Sequence, residues 1–132
     1  MHDSVKKLSF IKNKINDIIS KKQLNTDPKI IAVSKKFPIT EILPLIDDGH
    51  IHFGENQIQE AEQKWFEFKK KYKNLQLHMI GKLQSNKAKK AIQLFDYLHS
   101  LDNAKLALKI SQHSKELNKK IKIFIQVNIG EE

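Results

Sequence analysis

The chain has 132 residues, of which 39% are hydrophobic and 30% charged, and this composition is typical of one globular domain rather than of a disordered polypeptide. The absence of cysteine excludes disulfides and thiolate metal sites. The sequence has neither an apolar leader nor a run near the roughly 20 apolar residues of a membrane span, so we expect a cytoplasmic protein. The net charge is +9, but the 24 basic residues are all lysine, and arginine is the usual residue for base recognition, so the charge gives little support to nucleic-acid binding.

Helical and strand patterns alternate along the chain. Apolar residues spaced three and four apart predict helices at 5–18, 40–48, 58–72, 88–95 and 106–117. Short β-branched or alternating runs predict strands at 30–34, 51–54, 75–80, 97–101 and 121–129. Gly49 is predicted to end the second helix, and Asp102 is predicted as the N-cap of the fifth.

This order of elements predicts the fold class. Strands separated by helices form βαβ units, so we expect an α/β domain with about five parallel strands and intervening helices over residues 1–132. Five strands are too few for a closed (β/α)₈ barrel, which needs eight strands and about 250 residues. No helix follows the last strand to cover its outward face.

Lys35 is the first candidate for chemistry, because it follows the first predicted strand at the sheet edge where α/β proteins form their sites. A period of two places it on the same face as Val33 and Ile31. An inward-facing lysine would be partly desolvated, which favours the neutral amine that attacks an aldehyde. The alternative is a lysine that extends from a strand end into solvent.

Three further polar segments end strands at the same edge, namely residues 53–56, 78–87 and 126–128. Side chains there can converge on a ligand, although each segment alone is also compatible with ordinary turn and capping chemistry. His50 and His52 are candidate metal ligands by spacing, but no third ligand lies nearby in the sequence, and we predict no metal site.

Five segments, in the expected order and spacing, together resemble the family of pyridoxal phosphate (PLP) homeostasis proteins. They are Ala32-Val33-Ser34-Lys35, Phe53-Gly54-Glu55-Asn56, and residues 78–87, 98–102 and 126–129. The third is the most specific by itself, with the pattern His-x-Ile-Gly-x-Leu-Gln-Ser-Asn-Lys. The resemblance covers nearly the whole chain, from about residue 30 to residue 129.

The resemblance implies a partial (β/α) TIM-type barrel like the barrel domain of alanine racemase, known as fold-type III. It implies a Schiff base between Lys35 and PLP, with Asn56 beside the cofactor ring. It also implies a non-catalytic carrier or buffer in vitamin B6 homeostasis. Weaker candidates for the pocket wall are His78, Ile80, Ser100 and Asn128.

Two departures from the family pattern modify this expectation. Phe37 stands where the family usually has a second lysine, and the three later strands, with the segment that grips the cofactor phosphate, are not present. Because the dianionic phosphate supplies much of the binding, we expect a truncated protein that binds PLP weakly or not at all by itself. An open half-barrel should also aggregate, dimerise or pair with a separate chain that carries the missing strands.

Three alternatives stay open from the sequence. A PLP-dependent racemase or decarboxylase of the same fold would need a second acid/base group, for which His78 and His99 are candidates. A basic nucleic-acid-binding protein would bind DNA with strong salt dependence. The third alternative is a non-functional fragment.

Overall fold

A computed structural model describes residues 2–130 and has helices and strands in strict alternation. The helices are α1 (Asp3–Lys21), α2 (Ile39–Asp47), α3 (Ile58–Lys71), α4 (Ala88–Leu94) and α5 (Ala104–Leu117). The strands are β1 (Ala32–Val33), β2 (His52–Glu55), β3 (Gln76–Met79), β4 (Tyr97–Leu101) and β5 (Lys122–Ile125). A short 3₁₀ turn, Ser85–Lys87, precedes α4. None of these helices is both long and apolar enough to cross a membrane.

The five strands form one parallel sheet in the order β1-β2-β3-β4-β5. Neighbours in sequence are therefore neighbours in the sheet, and the right-handed crossovers place the connecting helices on the same face. A doubly wound sheet would instead reverse its strand order at a switch point. The prediction of a partial (β/α) TIM-type fold with five parallel strands is confirmed.

The hydrophobic core lies between the outer face of the sheet and helices α2 to α5. Phe53 and Leu77 of the sheet pack against this layer together with Trp65 of α3 and Leu106 of α5, and all four are fully buried. The opposite, inner face of the sheet is exposed at its outer strands but not at its centre, where His78 is 4% exposed. Val33 on that face is 51% exposed.

Both outermost strands are shorter than predicted. Strand β1 has two residues instead of five, and β5 ends at Ile125 instead of Ile129. The reason for β5 is the length of its neighbour: β4 ends at Leu101, which pairs with Ile125, and among the described residues no backbone hydrogen bond to β4 follows that of Gln126. A strand pattern in the sequence gives no structure where no partner strand lies beside it.

Two details of the helices also differ. Asn103, not Asp102, caps α5, because its side-chain oxygen accepts the Leu106 N–H at 2.9 Å. In α1 the apolar stripe is buried only near the N-terminus, whereas Ile11 and Ile18 are 47% and 49% exposed.

Candidate functional site

Lys35 lies in a tight turn directly after β1, at the carboxyl edge of the sheet. The Phe37 N–H donates to the Ser34 carbonyl at 3.2 Å, which closes a four-residue turn around Lys35 and Lys36. The Lys35 side chain is exposed, so the expected partial desolvation is wrong for this chain. The physical reason is the open inner face, since no strand within residues 2–130 lies opposite Lys35.

Asn56 and Ile80 occupy equivalent positions on the next two strands. Val33 pairs with Gly54, and Gly54 with His78, and the residues two places further along each segment lie just beyond the strands, at the carboxyl edge of the sheet. The structure thus brings Lys35, Asn56 and Ile80, three of the predicted site residues, to neighbouring strand ends. We call these three residues the edge row.

Two glycines, Gly81 and Gly54, allow close packing around the edge row. A Cβ on Gly81 would lie 2.5 Å from the Asn56 carbonyl oxygen, so the two loops can approach only because residue 81 is glycine. A Cβ on Gly54 would lie 3.1 Å from Ile31 and 3.2 Å from Ile80, whose side chains fill the space on the inner face. Asn56 and Ile80 are therefore fixed by close packing.

The other predicted wall residues are not members of the edge row. Ser100 is buried, and its hydroxyl donates to the Gly81 carbonyl at 2.7 Å. Asn128 is exposed and lies beyond β5, where it lines a shallow groove with Leu101 and Asp102. His78 lies two residues before Ile80, within strand β3, where it pairs with Gly54. The assignment of these three residues to a pocket wall stays a prediction.

A buried charged network lies behind the Lys35 turn. Glu55 has no exposed surface, and its carboxylate accepts hydrogen bonds from Ser34 Oγ, from Trp65 Nε1 at 3.1 Å and from Lys64 Nζ at 3.1 and 3.2 Å. Lys64 Nζ also donates to the Ser34 carbonyl at 2.7 Å. Each polar atom of Glu55 is thus paired, as a buried charge requires.

Sequence reasoning missed Lys64. Its helical spacing from Glu60 marks both residues as neighbours on one face of α3, but the partner on β2 is set by the tertiary fold. A lysine in a helix is ordinarily solvated, whereas the Lys64 side chain is only 8% exposed.

Sequence reasoning also missed a chain of three histidines across the inner face. His52 Nδ1 lies 2.9 Å from His78 Nε2, and His78 Nδ1 lies 2.9 Å from His99 Nε2. Tyr97 stacks on the His78 ring with centroids 4.1 Å apart, and Phe124 stacks on His99 at 4.7 Å. The signal in the sequence is a histidine on the inner face of each of three consecutive strands.

The surroundings of these histidines favour their neutral forms. Burial, followed by the adjacent His99 and His52, lowers the pKa of His78 from 6.5 to about 4. Burial also lowers the pKa of His52 and of His99, and nearby Lys29 contributes at His52. Since the three rings meet nitrogen to nitrogen, they do not converge on one point, and residues 2–130 contain no cluster of three or more ligands arranged for a metal ion.

The edge row can serve part of a PLP molecule. Lys35 supplies an accessible primary amine, Asn56 supplies an amide, and Ile80 supplies an apolar contact for a flat ring. The chain has no arginine and no glycine-rich phosphate loop. The edge row therefore fits the aldehyde and the ring of PLP, and it contains no group that would bind the phosphate.

Comparison with known proteins identifies the family to which this chain belongs. The model of the family described as alanine racemase, N-terminal domain, matches residues 8–132. The chain belongs to this family. Among curated proteins, the pyridoxal phosphate homeostasis protein of Haemophilus influenzae is 36% identical over 126 residues, which cover 95% of this chain and 53% of that protein. The predicted resemblance is confirmed, and this member of the alanine racemase N-terminal domain family spans about half the length of the curated relatives it matches.

Solved structures resemble the chain over a similar extent. PipY of Synechococcus elongatus without PLP is 40% identical with a TM-score of 0.76, and covers 84% of this chain and 51% of its own. The structure of PipY with PLP bound is 37% identical with a TM-score of 0.72, and covers 84% of this chain and 53% of its own. The relatives thus share the half of the fold that contains Lys35.

Proposed function

We propose that the chain is the lysine-bearing half of a PLP-binding barrel and acts in PLP homeostasis as a non-catalytic carrier or buffer. The observation that carries this proposal is the edge row, which places an accessible lysine, an amide and an apolar side chain at three adjacent strand ends. The PLP-bound structure of PipY, which is 37% identical, supports the choice of ligand.

In this proposal Lys35 holds the cofactor covalently. Its primary amine would hold the aldehyde carbon of PLP through a carbon–nitrogen double bond, with the aldehyde oxygen lost as water. The bond is a Schiff base and is reversible. Asn56 orients the ring by hydrogen bonding, and Ile80 excludes water from one side of the ring.

The hydrogen bonds of His78 argue against one of the two acid/base candidates, His78 and His99, that a racemase or decarboxylase would use. A general acid or base needs a nitrogen within reach of the substrate, and both ring nitrogens of His78 are already engaged by His52 and His99. Incubation with L-alanine and excess PLP, followed by chiral analysis, should give no D-alanine above that formed by the Lys35→Ala variant.

The phosphate determines how tightly the chain binds. Backbone N–H groups and cationic side chains normally hold this dianion, and the edge row supplies neither in a ready cradle. We therefore propose weak PLP binding by the 132-residue chain alone, with tighter binding when the remaining strands of the barrel are supplied.

The open edge of the sheet is proposed to receive those strands. Ile125 is 73% exposed, Val127 71% and Ile129 97%, and they follow Phe124, which is 54% exposed on the inner face. Strand β5 is the edge of the sheet, and exposed apolar side chains on it and directly after it favour pairing with another strand. The occupant that fits is a polypeptide with the fold of the other half of the relatives, and a second copy of this chain is the competing outcome in a sedimentation experiment.

Titration with PLP tests the cofactor proposal. The visible absorbance of the imine is followed in the parent chain, in Lys35→Ala and in the matched control Lys36→Ala, and borohydride reduction then fixes the label for peptide mapping. We expect weak binding, a label at Lys35 in the parent chain and in Lys36→Ala, and no label at that position in Lys35→Ala.

Two results would contradict the proposal. Equal labelling of many lysines would remove the special role of Lys35. Tight, Lys35-dependent binding by the isolated chain would overturn the statement that the phosphate site lies elsewhere.

A further inference from the structure

The turn that carries Lys35 is tied to helix α3 on both sides of the lysine. On the N-terminal side, the Ser34 carbonyl accepts a hydrogen bond from Lys64 Nζ at 2.7 Å. On the C-terminal side, the Lys36 N–H donates to both carboxylate oxygens of Glu60, at 2.8 and 2.9 Å. The backbone before and after Lys35 is therefore held by two side chains one helical turn apart.

The turn requires such support because of its backbone conformation. Lys36 has φ +67°, in the left-handed region that non-glycine residues adopt at a cost. The Glu60 carboxylate accepts the N–H of this same residue, and a hydrogen bond to an ionised acceptor is stronger than one to a neutral acceptor. Glu60 thus stabilises the conformation that directs the chain past Lys35.

Glu60 and Lys64 also hold each other in place. Lys64 Nζ lies 3.9 Å from a Glu60 oxygen and 3.1 Å from Glu55, while the Lys64 side chain is 8% exposed and that of Glu60 26%. These charges are largely withdrawn from water, so their geometry is more restricted than that of a surface pair. Glu55 has no exposed surface and fixes the network to strand β2.

We propose that Glu60 and Lys64 are positioning residues for Lys35: they clamp the turn of residues 34–37 so that the lysine amine, and not that of neighbouring Lys36, is presented at the edge row. The functional part of this inference rests on the proposed role of Lys35 as the PLP-binding lysine. The clamp itself is a property of the chain without any ligand.

The test compares Glu60→Ala with Glu67→Ala, which removes the same charge from a more distant, exposed position of the same helix. Amide hydrogen exchange of Lys36 reports the clamp directly. We expect Lys36 N–H to exchange about tenfold faster or more in Glu60→Ala and at the parent rate in Glu67→Ala. The fluorescence of buried Trp65 during urea unfolding confirms that each variant is folded, and Glu60→Met, which also removes both acceptor oxygens, replaces Glu60→Ala if the latter does not fold.

The second readout is selectivity of labelling. The chain is incubated with PLP and reduced with borohydride, and the ratio of label on Lys35 to label on Lys36 is measured by mass spectrometry. We expect this ratio to fall toward one in Glu60→Ala and to stay at the parent value in Glu67→Ala.

Unchanged exchange of Lys36 in a folded Glu60→Ala variant would overturn the clamp. Faster exchange with an unchanged labelling ratio would overturn the positioning role. If the parent chain itself shows no preference for Lys35, the proposed function and this positioning role both fail, while the exchange data still decide whether the clamp exists.

Discussion

The histidine chain makes the stability of this fold dependent on pH in a direction that can be measured. The pKa of His78 is 6.5 when unfolded and about 4 in the fold, because burial and the adjacent His99 and His52 oppose a positive charge. Between these two values the unfolded chain binds a proton that the folded chain does not. The stabilisation is therefore complete above about pH 6.5 and is lost as the pH falls toward about 4.

The size of the His78 pKa shift determines how much the free energy of unfolding changes with pH. At about 1.4 kcal/mol per pKa unit, protonation of His78 on unfolding lowers the free energy of unfolding by roughly 2–3 kcal/mol across this range. His52 and His99, whose pKa values are also lowered by burial, act in the same direction and broaden the transition. For a domain with a total stability of about 5–15 kcal/mol, this loss is substantial.

The substitution that isolates the effect is His78→Gln. Glutamine can still donate and accept between His52 and His99, but it does not titrate. At neutral pH the variant should be less stable than the parent by about 1 kcal/mol, because the stacking on Tyr97 is lost. Near pH 4.5 the order should reverse, with the variant about 1 kcal/mol more stable than the parent chain.

Urea unfolding at several pH values, followed by the fluorescence of the single tryptophan, Trp65, measures both quantities. His113→Gln, which removes an imidazole from α5 in the outer layer, is the matched control. The reasoning is refuted if His78→Gln loses stability with falling pH as steeply as the parent chain does, or if both substitutions reduce the slope equally.

Three further substitutions have expected effects on the free energy of unfolding in urea. Lys64→Met leaves the buried Glu55 carboxylate without its ammonium partner and should cost about 3–5 kcal/mol, so a loss below about 1 kcal/mol would show that Glu55 does not depend on Lys64. Asn103→Ala removes the side-chain cap of α5 and should cost about 1 kcal/mol, whereas Asp102→Ala should be nearly neutral; the opposite order would restore Asp102 as the cap. Lys36→Gly removes the steric cost of the left-handed backbone at this position and should stabilise the chain by about 0.5–1 kcal/mol. A destabilised variant would argue against that conformation.

Local patterns in the sequence were sufficient for the order of elements and the fold class. The helix at 58–72 followed from apolar residues at the helical period, and the structure has α3 at Ile58–Lys71. The position of Lys35 at a strand end followed from the preceding run of β-branched residues. These features depend on residues close together in the chain, and for that reason periodicity detects them.

The amino-acid sequence by itself determined the alternation of strands and helices, the strand end that carries Lys35, and the motif positions Asn56 and Ile80. Only the tertiary structure decided which strands are neighbours in the sheet, how short β1 and β5 are, and that Glu60 and Lys64 hold the Lys35 turn. The histidine chain likewise joins three strands that are 21 to 26 residues apart. The physical reason is that a hydrogen bond between distant residues depends on strand register and helix packing, and neither quantity is encoded in the spacing of residues along one segment.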